Sequence, residues 1–208
     1  MSPMTGQHSR PVRAVHPIEA RSYQILRSRV DTSELPALTR AVVERVIHAS
    51  ADLDYLGDLQ ISSEADLEKA REALAAGCPV VADARMVAAG ITSVRAICRV
   101  RDVVGTKGLT RSAAGIRRAH GEVGAGAVWV IGNAPTALEE LLTLDADPAL
   151  VIGLPVGFVG AVESKSALRD AGLPAITNVS EKGGSAVAAA AINALLYTAP
   201  AAGLGRGR

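Results

Sequence analysis

The chain is 208 residues long and carries 22 Lys and Arg against 21 Asp and Glu, so its net charge of +1 gives no overall field to gather nucleic acid. Its five aromatic residues, Tyr23, Tyr55, Trp129, Phe158 and Tyr197, are too few for a base-stacking platform. There is no apolar run of roughly 18 residues, and the opening MSPMTGQHSRPVRAV lacks the apolar core of a secretion signal; a soluble, cytoplasmic protein with no membrane partner is expected.

Residues 1–14 are polar and aperiodic and read as a disordered leader. The stretch 200–208, PAAGLGRGR, reads as a flexible tail, which leaves 15–199 as one folded domain. A first helix starts at His16-Pro17-Ile18-Glu19 and runs to about Val30. Ser33 is placed to cap a second helix, with Leu35, Leu38, Val42, Val43, Val46 and Ile47 along its apolar stripe.

At 100° per residue, His48 lies opposite that stripe, with Glu44 one turn back. The helix C-terminus and the carboxylate would both favour the protonated imidazole, which suits a general acid. The plain alternative is a surface histidine with no chemistry.

From residue 59 strands and helices alternate. Leu59–Ile61 is a short strand, Ser63 caps a helix over 64–76, and Pro79–Ala82 is a strand leading into a helix closed by Gly90. Ala96–Val100 is expected as a third strand, followed by a helix from Thr110-Arg111-Ser112 to about Gly121. The runs Val128–Ile131 and Ala149–Ile152 are apolar throughout, as strands buried on both faces are, and each stops at a glycine. Ala175–Thr177 is the sixth strand, and an alanine-rich helix follows from Gly183-Gly184-Ser185 to Leu196.

This alternation predicts an α/β fold, a three-layer α/β/α arrangement around a mostly parallel sheet of five or six strands. The first two helices stand outside the alternation and would cover a sheet edge or a partner subunit. The loops after Gly132 and Gly153 leave neighbouring strand ends, where open α/β sheets hold ligands. Either those glycines only shape turns, or the loops bind an anion.

Nucleotide motifs are absent. Gly121-Glu122-Val123-Gly124-Ala125-Gly126 precedes a strand instead of following one, and neither Gly105–Gly108 nor Lys182–Ser185 has phosphate-loop spacing. Cys78 and Cys98 stand apart with no histidine pair nearby, so no metal site is expected. What remains is a set of helix starts bearing cations and hydroxyls, Thr110-Arg111-Ser112, Glu163-Ser164-Lys165 and Lys182-Gly183-Gly184-Ser185, suited to a ligand with several carboxylates.

A series of blocks resembles the precorrin-8X methylmutase family, the precorrin isomerases of cobalamin (vitamin B12) biosynthesis. These are His16-Pro17-Ile18-Glu19 with Ser22, Ile47-His48-Ala49-Ser50, Asp83 with Met86-Val87 and Gly90-Ile91, and Thr110–Ala114. Gly132-Asn133-Ala134-Pro135-Thr136, Pro155-Val156-Gly157-Phe158-Val159 with Glu163-Ser164-Lys165, and Lys182–Ser185 complete the series, in the family's order over about 16–198.

The resemblance implies an isomerase that works as a homodimer, needs no cofactor, and moves a methyl group from C-11 to C-12 of a tetrapyrrole. Precorrin-8X would become hydrogenobyrinate, a corrin. It further implies His48 as the general acid and Ser22, Arg27, Thr92, Arg111 and Lys165 as substrate-binding residues. The closest alternatives are a cobalt-precorrin-8 methylmutase and a corrinoid carrier without catalysis; a nucleotide-binding α/β domain lacks its motif. One departure stands out: after His-Ala-Ser the family often has glycine or a small polar residue, and here the chain reads Ala51-Asp52, a stiffer turn.

Overall fold

The computed structural model describes residues 16–105 and 108–198; the expected leader and tail lie outside them. In chain order the elements are α1 (Pro17–Arg27), α2 (Ala37–Ser50), α3 (Tyr55–Asp58), β1 (Leu59–Ile61), α4 (Glu64–Ala75), β2 (Val80–Ala82) and α5 (Arg85–Gly90). Then come α6 (Arg111–Val123), β3 (Val128–Ile131), α7 (Pro135–Thr143), β4 (Leu150–Gly153), α8 (Ala161–Asp170), β5 (Ala175–Asn178) and α9 (Ser185–Tyr197).

The sheet has the order β1-β5-β4-β3-β2. β2 to β5 are parallel, in a register that sets Val80 beside Val128, Val128 beside Leu150 and Ile152 beside Ile176. β1 closes the β5 edge antiparallel, with Leu59 opposite Asn178.

Alternate residues of each strand feed two cores. Val80, Val128, Val130, Leu150, Ile152 and Ile176 face the layer of α2, α4, α5 and α9, while Val81, Trp129, Ile131, Val151 and Ala175 face α6, α7 and α8. Both sides are covered, which is why the strands show no polar alternation.

α9 is the centre of the first layer. Ten of its residues are buried, so it is apolar nearly all round, and its alanines let neighbours approach closely. A β-carbon on Gly90 would stand 2.7 Å from that of Ala189, and one on Gly132 2.7 Å from that of Ala188.

Several local expectations are corrected. Ala96–Val100 is not a strand: only Ile97 pairs with the β2 edge, through its N–H to Val80 and its carbonyl to Ala82 (2.7 and 2.8 Å), before the chain turns away. The observed sheet therefore has five strands. Ser33 does not cap the second helix, which begins after Pro36. Its first N–H groups are satisfied instead by Glu64 of α4, whose carboxylate accepts from Leu38 (2.7 Å) and Thr39 (3.0 Å). The first helix stops at Arg27, short of Val30, and α6 runs past Gly121 to Val123. α2 is no outlying cover either, since it packs along α9 within the core.

Candidate functional site

α1 is a shallow helix with one buried residue, Leu26. The His16 ring accepts the Ile18 N–H at its N-terminus, and Pro17 occupies the first turn where no donor is missed. Lying on α2, it sets Ser22 Oγ 2.7 Å from His48 Nδ1. Tyr23, the next residue, stacks on the imidazole with ring centres 5.0 Å apart and planes 12° from parallel.

These two contacts orient the ring. Ser22 engages Nδ1, and Tyr23 covers one face of the imidazole. Ser22 also lines a cavity of about 480 Å³ along α1, with Pro17, Ile18, Arg21 and Ile25. Its wall is mostly apolar, with one cation and one hydroxyl, and that combination suits a large organic anion.

Glu44 does not serve His48, contrary to expectation. It is buried, and its carboxylate accepts from Arg27 Nε and Nη2 (3.0 and 2.7 Å), Thr32 Oγ1 (2.6 Å) and Arg40 Nε (2.9 Å). Burial would raise its carboxyl, but the bonds from Arg27, Thr32 and Arg40 prevail and hold it at about 2. Arg27 is thereby bound in a two-pronged pair that ties α1 to α2. Its guanidinium also lies 5.6 Å from the Tyr23 ring centre.

Thr92 joins the same side of the molecule through a chain of contacts. Its hydroxyl meets Tyr197 OH, Arg45 lies 5.0 Å from the Tyr197 ring centre, and Arg45 pairs with Glu19 and reaches Tyr23 OH at 3.4 Å. Tyr23, Arg45 and Tyr197 were not singled out from the sequence. A signal was available, since Arg45 precedes His48 by three positions and so shares its helix face.

The turn after His48 is unusual. Ala51 caps α2 with φ 55°, a left-handed conformation that glycine adopts at less cost. Asp52 and Asp54 then both pair with Lys182, at 2.8 and 2.7 Å, fastening the turn to the loop after β5.

Lys165 and Arg111 stand apart from this group. Lys165 is fully buried in α8, and its ammonium donates to Asn178 Oδ1 (2.9 Å), the Lys182 carbonyl (2.8 Å) and the Ser180 carbonyl. All three of its protons are used. Burial pulls the ammonium down to about 8, against the opposing charge of Asp58. Lys165→Met is expected to lower stability by about 3 kcal/mol in urea unfolding, because three buried acceptors lose their donor. A lysine that only touched ligand would leave the unfolding midpoint unchanged.

Arg111 opens α6 and is exposed, beside the Thr110–Thr136 hydroxyl pair at 2.8 Å that joins α6 to α7. The glycine loop after β3 turns its donors inward: Gly132 N, Asn133 N and Ala134 N all bond the Asp83 carboxylate, at 3.0, 2.9 and 2.8 Å. The anion held by this loop is the chain's own Asp83. At the start of α9, Gly183 lies so close to the Leu154 and Pro155 carbonyls that a β-carbon would stand 2.7 Å from the latter oxygen. The hydroxyl of Ser185, also at this helix start, is buried with no partner among the described residues.

Residues 17–198 match the family described as CbiC, precorrin-8X methylmutase. A cobalt-precorrin-8 methylmutase of Salmonella typhimurium is 40% identical over 198 residues, covering 86% of this chain and 93% of that protein. A precorrin-8X methylmutase of Pseudomonas aeruginosa is 43% identical over 197 residues, with the same coverage. A solved precorrin-8X methylmutase from Thermus thermophilus superposes with a TM-score of 0.76 at 34% identity, covering 86% of this chain and 93% of that one. With sequence similarity over nearly all of the described residues and the same fold in solved relatives, the chain belongs to the precorrin-8X methylmutase family, a family of isomerases.

Proposed function

We propose that this chain isomerises precorrin-8X to hydrogenobyrinate in cobalamin biosynthesis, with His48 as the general acid. The observation that carries the proposal is the Ser22–His48–Tyr23 arrangement beside the α1 cavity, in which Ser22 holds one ring nitrogen and a stacked tyrosine fixes the plane of the imidazole.

In the proposed step, His48 lends a proton to the macrocycle and interrupts its conjugation. The bond from C-11 to the methyl group breaks as the bond to C-12 forms, and the proton then returns to the imidazole. Atoms and electrons balance without an external oxidant or reductant. A positioned acid supplies about 10²- to 10⁴-fold, and holding the ring in reactive geometry supplies more.

Ser22 orients the imidazole and meets the ligand. Thr92 and Arg111 are proposed to meet carboxylate arms directly, whereas Arg27 and Lys165 act on the substrate through the elements they fasten. A homodimer is part of the proposal, supported by the exposed apolar side chains of Phe158 (94% exposed) and Val159 (88%) in the loop after β4. Action in the cytoplasm fits the two free cysteines and the lack, among the described residues, of a helix long and apolar enough to cross a membrane.

The test is to mix the purified chain with precorrin-8X, and separately with cobalt-precorrin-8, and follow the absorbance. A change of chromophore at catalytic enzyme concentration is expected, and the faster of the two reactions identifies the natural ring. Tight binding with no change of chromophore for either would make the chain a carrier and end the proposal.

A further inference from the structure

A second cavity, of about 670 Å³, lies at the open β2 edge of the sheet, between α5 and the segment Arg95–Asp102. Arg85, Arg95, Arg99 and Arg101 all line it. Arg85, Ala88 and Ala89 share one face of α5, while fully buried Val87 and Gly90 lie toward α9. The cavity therefore opens on the side of α5 away from α9 and α2, and so away from His48.

Its charge is unbalanced. The one acidic residue in the lining, Asp102, pairs with Arg99 at 3.5 Å, and Arg99 is bound again by Glu122 at 2.6 Å. Among the described residues, Arg85, Arg95 and Arg101 have no carboxylate partner. Three exposed arginines lining one concavity repel one another, and an anion seated there would offset that repulsion. The floor is apolar, formed by Ala88, Ala89 and Ile97.

From this arrangement we infer that the cavity is a second binding site, taking an organic anion with an apolar body and carboxylates on two or more arms. Guanidinium forks match carboxylates in paired hydrogen bonds, and alanines accept the flat body between them. Two sources share that chemistry: the arms of a tetrapyrrole polyacid and a small free polycarboxylic acid. Cys98 lines the same cavity and reports its occupancy as a free thiol.

The test titrates the full chain with uroporphyrin, a tetrapyrrole octacarboxylate, and with citrate, comparing wild type with the double variant Arg95→Gln/Arg101→Gln. Removal of two charged partners is expected to weaken binding by about a hundredfold. The ligand should protect Cys98 from alkylation by a maleimide. Protection by uroporphyrin alone assigns the site to macrocycle arms, and equal protection by citrate assigns it to small acids; both uphold the site. Equal affinity of wild type and double variant, binding without protection of Cys98, or tighter binding of pyrophosphate than of either carboxylate would overturn it. Neither readout uses turnover, so a chain that leaves precorrin-8X unchanged yet binds in this way loses the proposed function and keeps the cavity site.

Discussion

His48→Ala is expected to lower the rate of the methyl shift by about 10²- to 10⁴-fold while the affinity for the macrocycle stays within a few-fold of wild type. The ring makes its contacts with Ser22 and Tyr23 on the protein side, so its loss removes the proton donor and leaves the α1 cavity wall of Pro17, Ile18 and Ile25 in place. Single-turnover absorbance separates the two effects, since binding and rearrangement are then read in one trace. Ser22→Ala should fall between wild type and His48→Ala, because the imidazole remains but loses the orienting contact from Ser22. A His48→Ala chain that rearranges precorrin-8X at near-normal rate would transfer the acid role to another group.

Asp83→Ala carries the largest expected loss of stability. The side chain is 2% exposed and its two oxygens satisfy three consecutive backbone N–H groups at the end of β3. Burial pushes the Asp83 carboxyl up, and the bonds from Ala134, Gly132 and Asn133 oppose it. Removing the carboxylate leaves three donors turned into a dry space, at a cost of about 3–5 kcal/mol. Urea unfolding of Asp83→Ala measures it directly. Asp83→Asn should recover part of the loss, since one amide oxygen still accepts. A change below about 0.5 kcal/mol would mean that the loop finds other partners and that Asp83 does not hold it.

The parallel strands were legible because their chemistry is one-dimensional. Val128–Ile131 and Leu150–Gly153 are apolar on both faces and short, and each run ends at a glycine, which separates them from a long buried helix such as α9. The antiparallel sense of β1 was not legible, for Leu59-Gln60-Ile61 is three residues long and its direction is set by a partner far along the chain. Ala96–Val100 misled for a similar reason: its β-branched and apolar residues fit a strand, but only Ile97 finds an edge to pair with.

In the site, His48 was reached first from its place on the helix and Ser22 through resemblance, and local rules mis-assigned the charge next to them. Helical spacing set Glu44 beside His48, yet Arg27 and Thr32 from outside α2 claim its carboxylate together with Arg40, one turn back on the same helix. The same holds for Lys165, whose block resembles a ligand-binding one while its ammonium is consumed by the loop over β5. Such competition between partners is a property of the tertiary arrangement, and residue order does not encode it locally.

The antiparallel edge strand has a consequence for biosynthesis. Asp58, just before β1, bonds Asn178, and α2 lies against α9, so the first quarter of the chain is completed by its last quarter. While a ribosome is still adding residues 80–170, β1 has no sheet neighbour, and the helix bearing His48 has α1, α3 and α4 beside it but lacks α9, so part of its apolar stripe of Leu38, Val42 and Val46 stays uncovered. A nascent chain stalled before residue 175 should hold chaperones, and one released after Tyr197 should let them go.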